Sequence, residues 1–319
     1  MRQVLRAEIR RLFTRRLTLL ALLGLLALVA LFQLQVNAMV TPPSPEAVAA
    51  AQAEYQEYLE DWEANREEWE AECVADGGSA QECATERPDP EGWGLAATPY
   101  DEAAGMAVTF GAYLGGMVIF VVTASFIGAE VTTGSLANWL TFVPDRRRVH
   151  AGKLLVAAGF SLLVGLAVGA LTVAVSALLT LAHGQPLTGL PDIVAMAARG
   201  ALVVGIFGVL GFCVALLTGS TGATIGVLLG AIFVLYVRIV LAYASRWAQL
   251  PAPMSPDVNL QAVLNKGTTY ATSAGSGTGE GYPSVEKTLS VWHGLGYWAV
   301  VLALLIAVTW HVFRRRDVT

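Results

Sequence analysis

The sequence predicts an all-α polytopic membrane protein. It would have six transmembrane helices, an N-terminal interfacial helix, a short cytoplasmic helix and an extracellular helical insertion after the first span. Three observations carry this. The 319 residues are 55% hydrophobic and only 14% charged, with mean hydropathy +0.57, whereas soluble domains carry roughly 25% charged residues. Several apolar runs exceed the ~18 residues that separate a spanning helix from a core helix. Basic residues are concentrated in alternate connecting segments. Lipid admits only helices and closed barrels, and the runs lack the alternation of barrel strands, so helices are predicted.

Residues 1–16 form the first element, with Leu5, Ile9, Leu12 and Phe13 on one helical face and arginines on the other. That pattern fits a helix lying in a headgroup layer; the plainer reading is the basic flank of the first span. The spans are predicted at residues 17–36, 104–127, 154–181, 194–217, 222–243 and 291–313. The basic start, first apolar run and Val36–Ala38 imitate a signal peptide, but the run is long for one, and a retained span is expected.

Lys and Arg set the orientation. Arg2, Arg6, Arg10, Arg11, Arg15 and Arg16 precede the first span, and Arg146, Arg147, Arg148 and Lys153 lie between the second and third. Arg314, Arg315 and Arg316 fall in the 314–319 tail. With six spans these all face one side, predicted to be the cytoplasm, as does the 218–221 turn. Residues 37–103, 182–193 and 244–290 then lie outside.

Residues 37–103 are loaded with acid against only Arg66 and Arg87. Tyr55, Leu59, Trp62, Trp69 and Cys73 recur at helical spacing, predicting a long amphipathic helix whose aromatic face needs a partner. Segment 91–100, the last external loop and a second copy of the chain are the candidates. Cys73 and Cys83, on the side where disulfides persist, are expected to pair, while Cys213 lies within a span. The acidic residues read as a solvated face: they form neither an EF-hand loop nor a catalytic set, and no metal is expected. The loop 244–290 is read as partly irregular and partly re-entrant, because Pro251, Pro253 and Pro256 interrupt any single helix.

Small residues recur every fourth position: Ala107, Gly111, Gly115; Ala157, Ser161, Gly165, Gly169; Gly222, Gly226, Gly230. Such rows let helices approach closely in lipid. Arg199 and Arg238, near the outer ends of their spans, read as snorkelling side chains or as anion binders. Trp292, Tyr297 and Trp298 read as an interfacial belt. The sequence contains no phosphate-binding GxxxxGK[ST], no HExxH and no GxSxG, so no catalytic residue is assigned. Nothing in it points to nucleic acid.

Residues 128–153 pose the functional question. Leu136, Trp139, Leu140 and Val143 cluster on one side of a short helix that Pro144 ends, and the arginines follow at once. The segment reads either as a surface that docks another protein or as a loop lying on lipid headgroups.

The arrangement resembles the membrane subunits of type-2 ABC exporters. Gly128, Glu130, Gly134, Ser135, Leu136, Leu140, Pro144, Arg146, Arg147, Arg148 and Lys153 are similar to that family's motif after the second span, with one residue fewer between Pro and Lys than is commonest. Glu8, Arg11, Arg15 and Arg16 are similar to its elbow helix, and the closing Phe-Arg-Arg-Arg-Asp-Val to its usual C-terminus. The resemblance covers the chain outside residues 37–103. It implies a permease in a bacterial plasma membrane, N- and C-termini cytoplasmic, in which a second copy completes a homodimer. Two separate ABC ATPase subunits would bind ATP and Mg, this chain holding no cofactor. Glu130, Gly134, Leu136, Trp139, Leu140, Pro144 and Arg146–Arg148 would form the coupling element. Candidate pathway-lining residues are Phe110, Tyr113, Phe120, Thr123, Ser161 and Arg238, and this mainly apolar set predicts a hydrophobic or amphiphilic cargo. The rival from another class is a membrane-anchored sensor or scaffold acting through its acidic external domain.

Overall fold

The structure is a computed structural model that describes residues 2–76, 80, 83–85, 87–135, 145–244, 252–273 and 284–315. Helix α1 (Arg2–Phe13) is followed by Arg15 in extended conformation and then by α2 (Arg16–Val40). An acidic helix, α3 (Pro45–Ala75), leads to α4 (Tyr100–Thr132), α5 (Arg146–Ala182), α6 (Leu190–Thr218) and α7 (Thr221–Ala244). A short helix, α8 (Pro256–Leu264), precedes a two-stranded hairpin of β1 (Gly267–Ser273) and β2 (Ser284–Ser290), and α9 (Val291–Arg315) closes the chain.

Among the described residues, α2, α4, α5, α6 and α9 are each long and apolar enough to cross a membrane. The described apolar part of α7 spans Thr221–Val237 and is shorter. Large apolar side chains stay exposed on the outer faces of these helices, Leu20, Leu34, Leu163, Leu178 and Phe233 among them. In water so continuous an apolar surface would drive association. In lipid it is the solvated face, and the chain is a multi-pass membrane protein.

The centre of the bundle is α4, which packs most extensively against α6 and then, with α6, against α5. Ile119, Val122, Phe126, Phe160, Phe212 and Leu216 meet there. Two of the small-residue rows mediate the approach. A β-carbon placed on Gly165 would lie 2.7 Å from Cα of Ala201, and one on Gly111 would touch Val168 and Thr172. The third row is different: Gly226 and Gly230 have nothing within 4 Å of such a β-carbon, so α7 presents this stripe outward.

The acidic helix α3 starts on Ser44, whose hydroxyl accepts from the Ala47 amide, with Pro45 at the first helical position. Segment 91–100 partners its aromatic face: the Trp93 ring lies 5.6 Å from Tyr55 and 5.2 Å from Tyr58. The Tyr55 hydroxyl donates to the Pro88 carbonyl at 3.1 Å. Cys73 and Cys83 form a disulfide, S–S 2.08 Å.

Two expectations need correcting. The loop before the last span, read as partly irregular and partly re-entrant, contains a hairpin. Thr268, Thr269, Thr272, Val285 and Thr288 have the branched side chains that favour strands, and β1 pairs with β2 antiparallel from Gly267↔Ser290 to Ser273↔Ser284. An all-helical description therefore omits one hairpin. Trp298 is not a belt residue either. It is buried with Leu260, Val263 and Leu264 of α8, which folds back against α6 and α9.

Candidate functional site

The end of the bundle that holds the arginines of α1, α5 and α9 also holds a cluster of buried charge. Helix α4 runs past its predicted end to Thr132 and α5 begins at Arg146, so the connection between them is shorter than the predicted 128–153. Once a helix leaves the hydrocarbon its charged residues no longer oppose continuation, which is why both helices outrun the apolar runs. Gly134 follows α4 at φ +68°, a left-handed conformation that only glycine adopts without strain. Asp145 starts α5: its Oδ1 accepts from the amides of Arg147 and Arg148 at 3.1 and 3.2 Å, and its Oδ2 meets Arg148 Nε at 2.8 Å. A carboxylate at a helix N-terminus is favourable for the same reason that bare amides there are not.

Two turns into α5, Lys153 is 2% exposed. Its Nζ lies 2.9 Å from Glu8 Oε1 of α1 and 2.6 Å from Glu130 Oε2 of α4; it also donates to Glu8 Oε2 at 2.9 Å. Glu8 is fully buried and Glu130 nearly so. Arg11 adds a second cation, its guanidinium 3.4 Å from Glu130 Oε1 with the side chain partly exposed. Two carboxylates thus face two cations and the charges balance. Balance is required, since an uncompensated charge taken out of water costs several kcal/mol. Glu8 Oε1 and Glu130 Oε2 have no hydrogen-bond donor aligned on them among the described residues, so the nearby ammonium compensates them by charge.

The surroundings tie further elements to this hub. Arg15 donates to the Ser125 carbonyl of α4 at 2.6 Å. The Arg15 guanidinium and the Lys153 ammonium both lie near the Phe126 ring, 5.7 and 5.0 Å from its centroid. Arg146 donates to the Phe313 and Arg314 carbonyls of α9 at 3.4 and 2.9 Å. His150 is enclosed by the rings of Phe212, Trp310 and Phe313. The apolar face of α1 turns partly onto α5: Leu12 is buried and Phe13 meets Phe160 edge-on at 5.6 Å. An apolar groove of about 450 Å³ remains between α1, α2 and α5.

Of the residues singled out in the sequence, Glu8, Arg11, Arg15, Glu130 and Arg146 are brought together here. Gly134 terminates a helix, Arg147 is exposed and Arg148 pairs with Asp145. Leu136, Trp139, Leu140 and Pro144 lie outside the described residues, as does the side chain of Arg238. The hub nonetheless brackets their segment, gripping the chain on both sides of it.

The pathway candidates are dispersed. Phe120, Thr123 and Ser161 are buried between helices. The Thr123 hydroxyl donates to the Ile119 carbonyl at 2.9 Å and the Ser161 hydroxyl to Ala157 at 2.6 Å. Phe110 stacks on Phe32 at 4.3 Å and Tyr113 packs beside the α8 cluster. Arg199 is partly buried, and its Nε donates to the Leu264 carbonyl at the end of α8, 2.8 Å.

Lys153 was legible in the sequence only as the basic residue opening the third span. A stronger signal was available. Carboxylates are scarce at this end of the bundle, where Glu8, Glu130 and Asp145 are the ones among the described residues.

No curated protein and no solved structure matches the chain. The pattern of one family, described as ABC-2 family transporter protein, matches residues 4–318, nearly the whole length, and together with the multi-pass bundle and its arginine-rich end this shows that the chain belongs to that family.

Proposed function

We propose that this protein is the transmembrane subunit of an ABC exporter that moves a hydrophobic or amphiphilic substrate, driven by ATP hydrolysis in separate subunits. The family implies an ABC ATPase partner and a membrane component that is not itself the ATPase. In this reading two permease copies and two ATPases form the transporter, in a bacterial plasma membrane with both termini cytoplasmic. Leu136, Trp139 and Leu140 dock into the ATPase, and ATP-driven closure there pushes on the ends of α4 and α5.

The observation that carries the reading is the hub. The chain entering the 136–144 segment and the chain leaving it are fastened to α1 through Glu130 and Lys153 and to α9 through Arg146. A force applied to that segment would therefore reach several helices at once. The outward-facing stripe of Gly222, Gly226 and Gly230 supports a second copy packing against α7, since close approach is what such a stripe allows.

The test is coexpression with the ATPase encoded nearest this gene. The two copurify, and Trp139→Asp abolishes their association or uncouples hydrolysis from the membrane subunit. If the variant assembles and hydrolyses ATP like the parent, the docking assignment fails. The rival reading, a sensor acting through residues 37–103, predicts instead that deleting α3 removes all activity.

A further inference from the structure

We infer that Lys153 is a positioning residue that makes the elbow helix part of the moving machinery: by holding Glu8 and Glu130 at once it joins α1, the end of α4 and the start of α5 into one rigid body. The inference rests on the coupling role proposed above and assigns how that motion is shared.

The geometry is specific. An amphipathic helix that merely floated on a headgroup layer would carry its charges outward, to phosphates and water. Here the single carboxylate of α1 points inward and is fully buried, with both of its oxygens 2.9 Å from the Lys153 ammonium. The same ammonium meets Glu130 at 2.6 Å. A lysine has three donors on one nitrogen and no acceptor, so one side chain can hold two carboxylates. These contacts join residues 145 and 23 positions apart, across three helices. Neither carboxylate can leave without stranding a buried charge, so the joint resists separation in any state that keeps it dry. Arg11, on the same helix as Glu8, grips Glu130 from the solvent side and closes the ring. Displacing the connection between α4 and α5 must then carry α1 with it.

A structural role and a transmitting role are separable, because a buried ion cluster replaced by uncharged residues of like size is often neutral in stability. The experiment uses the complete complex with its ATPase in lipid nanodiscs, spin-labelled at Arg10→Cys on α1 and Ala223→Cys at the start of α7, both exposed positions. A second pair, Arg10→Cys with Arg147→Cys, reports within the proposed body. Distances are measured without nucleotide and with MgATP plus vanadate.

In the parent the α1–α7 distance shifts and the α1–α5 distance does not. The triple variant Glu8→Gln, Glu130→Gln, Lys153→Met reaches the membrane and binds the ATPase like the parent but loses the α1–α7 shift. Lys153→Arg retains it. The inference is overturned if the triple variant keeps the full shift, if the parent's α1–α5 distance changes on trapping, or if the triple variant fails to accumulate, which would make the cluster a folding element. Failure of the parent to bind any ATPase would instead overturn the functional reading.

Discussion

Arg146, the first residue of α5, donates from its guanidinium to the carbonyl of Arg314 at 2.9 Å, in the last turn of α9. The last carbonyls of a helix have no partner within it and form the negative end of its dipole, so a guanidinium there satisfies both. The contact binds the exit of the 136–144 segment to the end of the chain. Arg146→Ala should release that turn. A charged hydrogen bond in a partly exposed setting contributes about 1 kcal/mol after screening. Amide exchange over residues 310–315 should accelerate by about fivefold, and unchanged exchange would show the contact to be incidental.

Gly165 sets the α5–α6 separation. A β-carbon there would lie 2.7 Å from Cα of Ala201, backbone that cannot turn aside, and 3.0 Å from Val204. Gly165→Val should lower stability by about 1–3 kcal/mol, the usual cost of overpacking. Gly159, on the same helix with open space around it, supplies the control, and Gly159→Ala should leave the thermal midpoint in detergent unchanged or slightly raised. Equal midpoints for both variants would refute close packing at this contact.

The Cys73–Cys83 bridge closes a loop with a sequence separation of 10. For so short a loop the chain-entropy account gives about 2–3 kcal/mol. The double variant Cys73→Ser, Cys83→Ser should therefore expose the end of α3, and chymotrypsin should cut at Trp69 and Trp93 at least tenfold faster (about 1.4 kcal/mol per decade). Identical digestion rates would mean that the aromatic contacts of Trp93 hold the unit unaided.

Beside that bridge, the Glu70 carboxylate accepts from the Thr85 amide at 3.1 Å and the Thr85 hydroxyl at 3.0 Å. The amide hydrogen bond chiefly, then the hydroxyl, with a smaller contribution from the Arg66 charge, hold this carboxyl below its ordinary value. A depressed folded-state value means the contact stabilises fully above the ordinary carboxylate range. That contribution is lost as pH falls through the lowered folded-state value. Protection of the Thr85 amide, corrected for intrinsic exchange, should fall on acidification, and Glu70→Gln should remove the pH dependence. Protection that stays constant in the parent would rule the carboxylate out as its source.

Much of the site was written in local pattern. Glu8, Arg11 and Arg15 entered through their resemblance to an elbow helix, and Glu130, Gly134 and Arg146 through resemblance to a motif after the second span. What pattern did not give was the pairing. Glu8 and Lys153 are 145 residues apart, and nothing in either neighbourhood names the other. Thr123 and Ser161 show the converse. They read as polar residues available to a pathway, yet each hydroxyl is spent on a carbonyl of its own helix, a local option that sequence cannot distinguish from an outward-facing one.

By itself the amino-acid order determined that this chain lives in a bilayer, which of its stretches form long apolar helices, and that its cations gather at one end. Those properties follow from transfer energies and helical periodicity, which are sums over neighbours in the chain. Only the tertiary structure decided that Lys153 serves two carboxylates, that Gly226 and Gly230 face outward while Gly165 faces a neighbour, and that a hairpin precedes the last helix. Each of these depends on which surfaces meet across long sequence separations, and packing in three dimensions chooses among partners that local chemistry leaves equivalent.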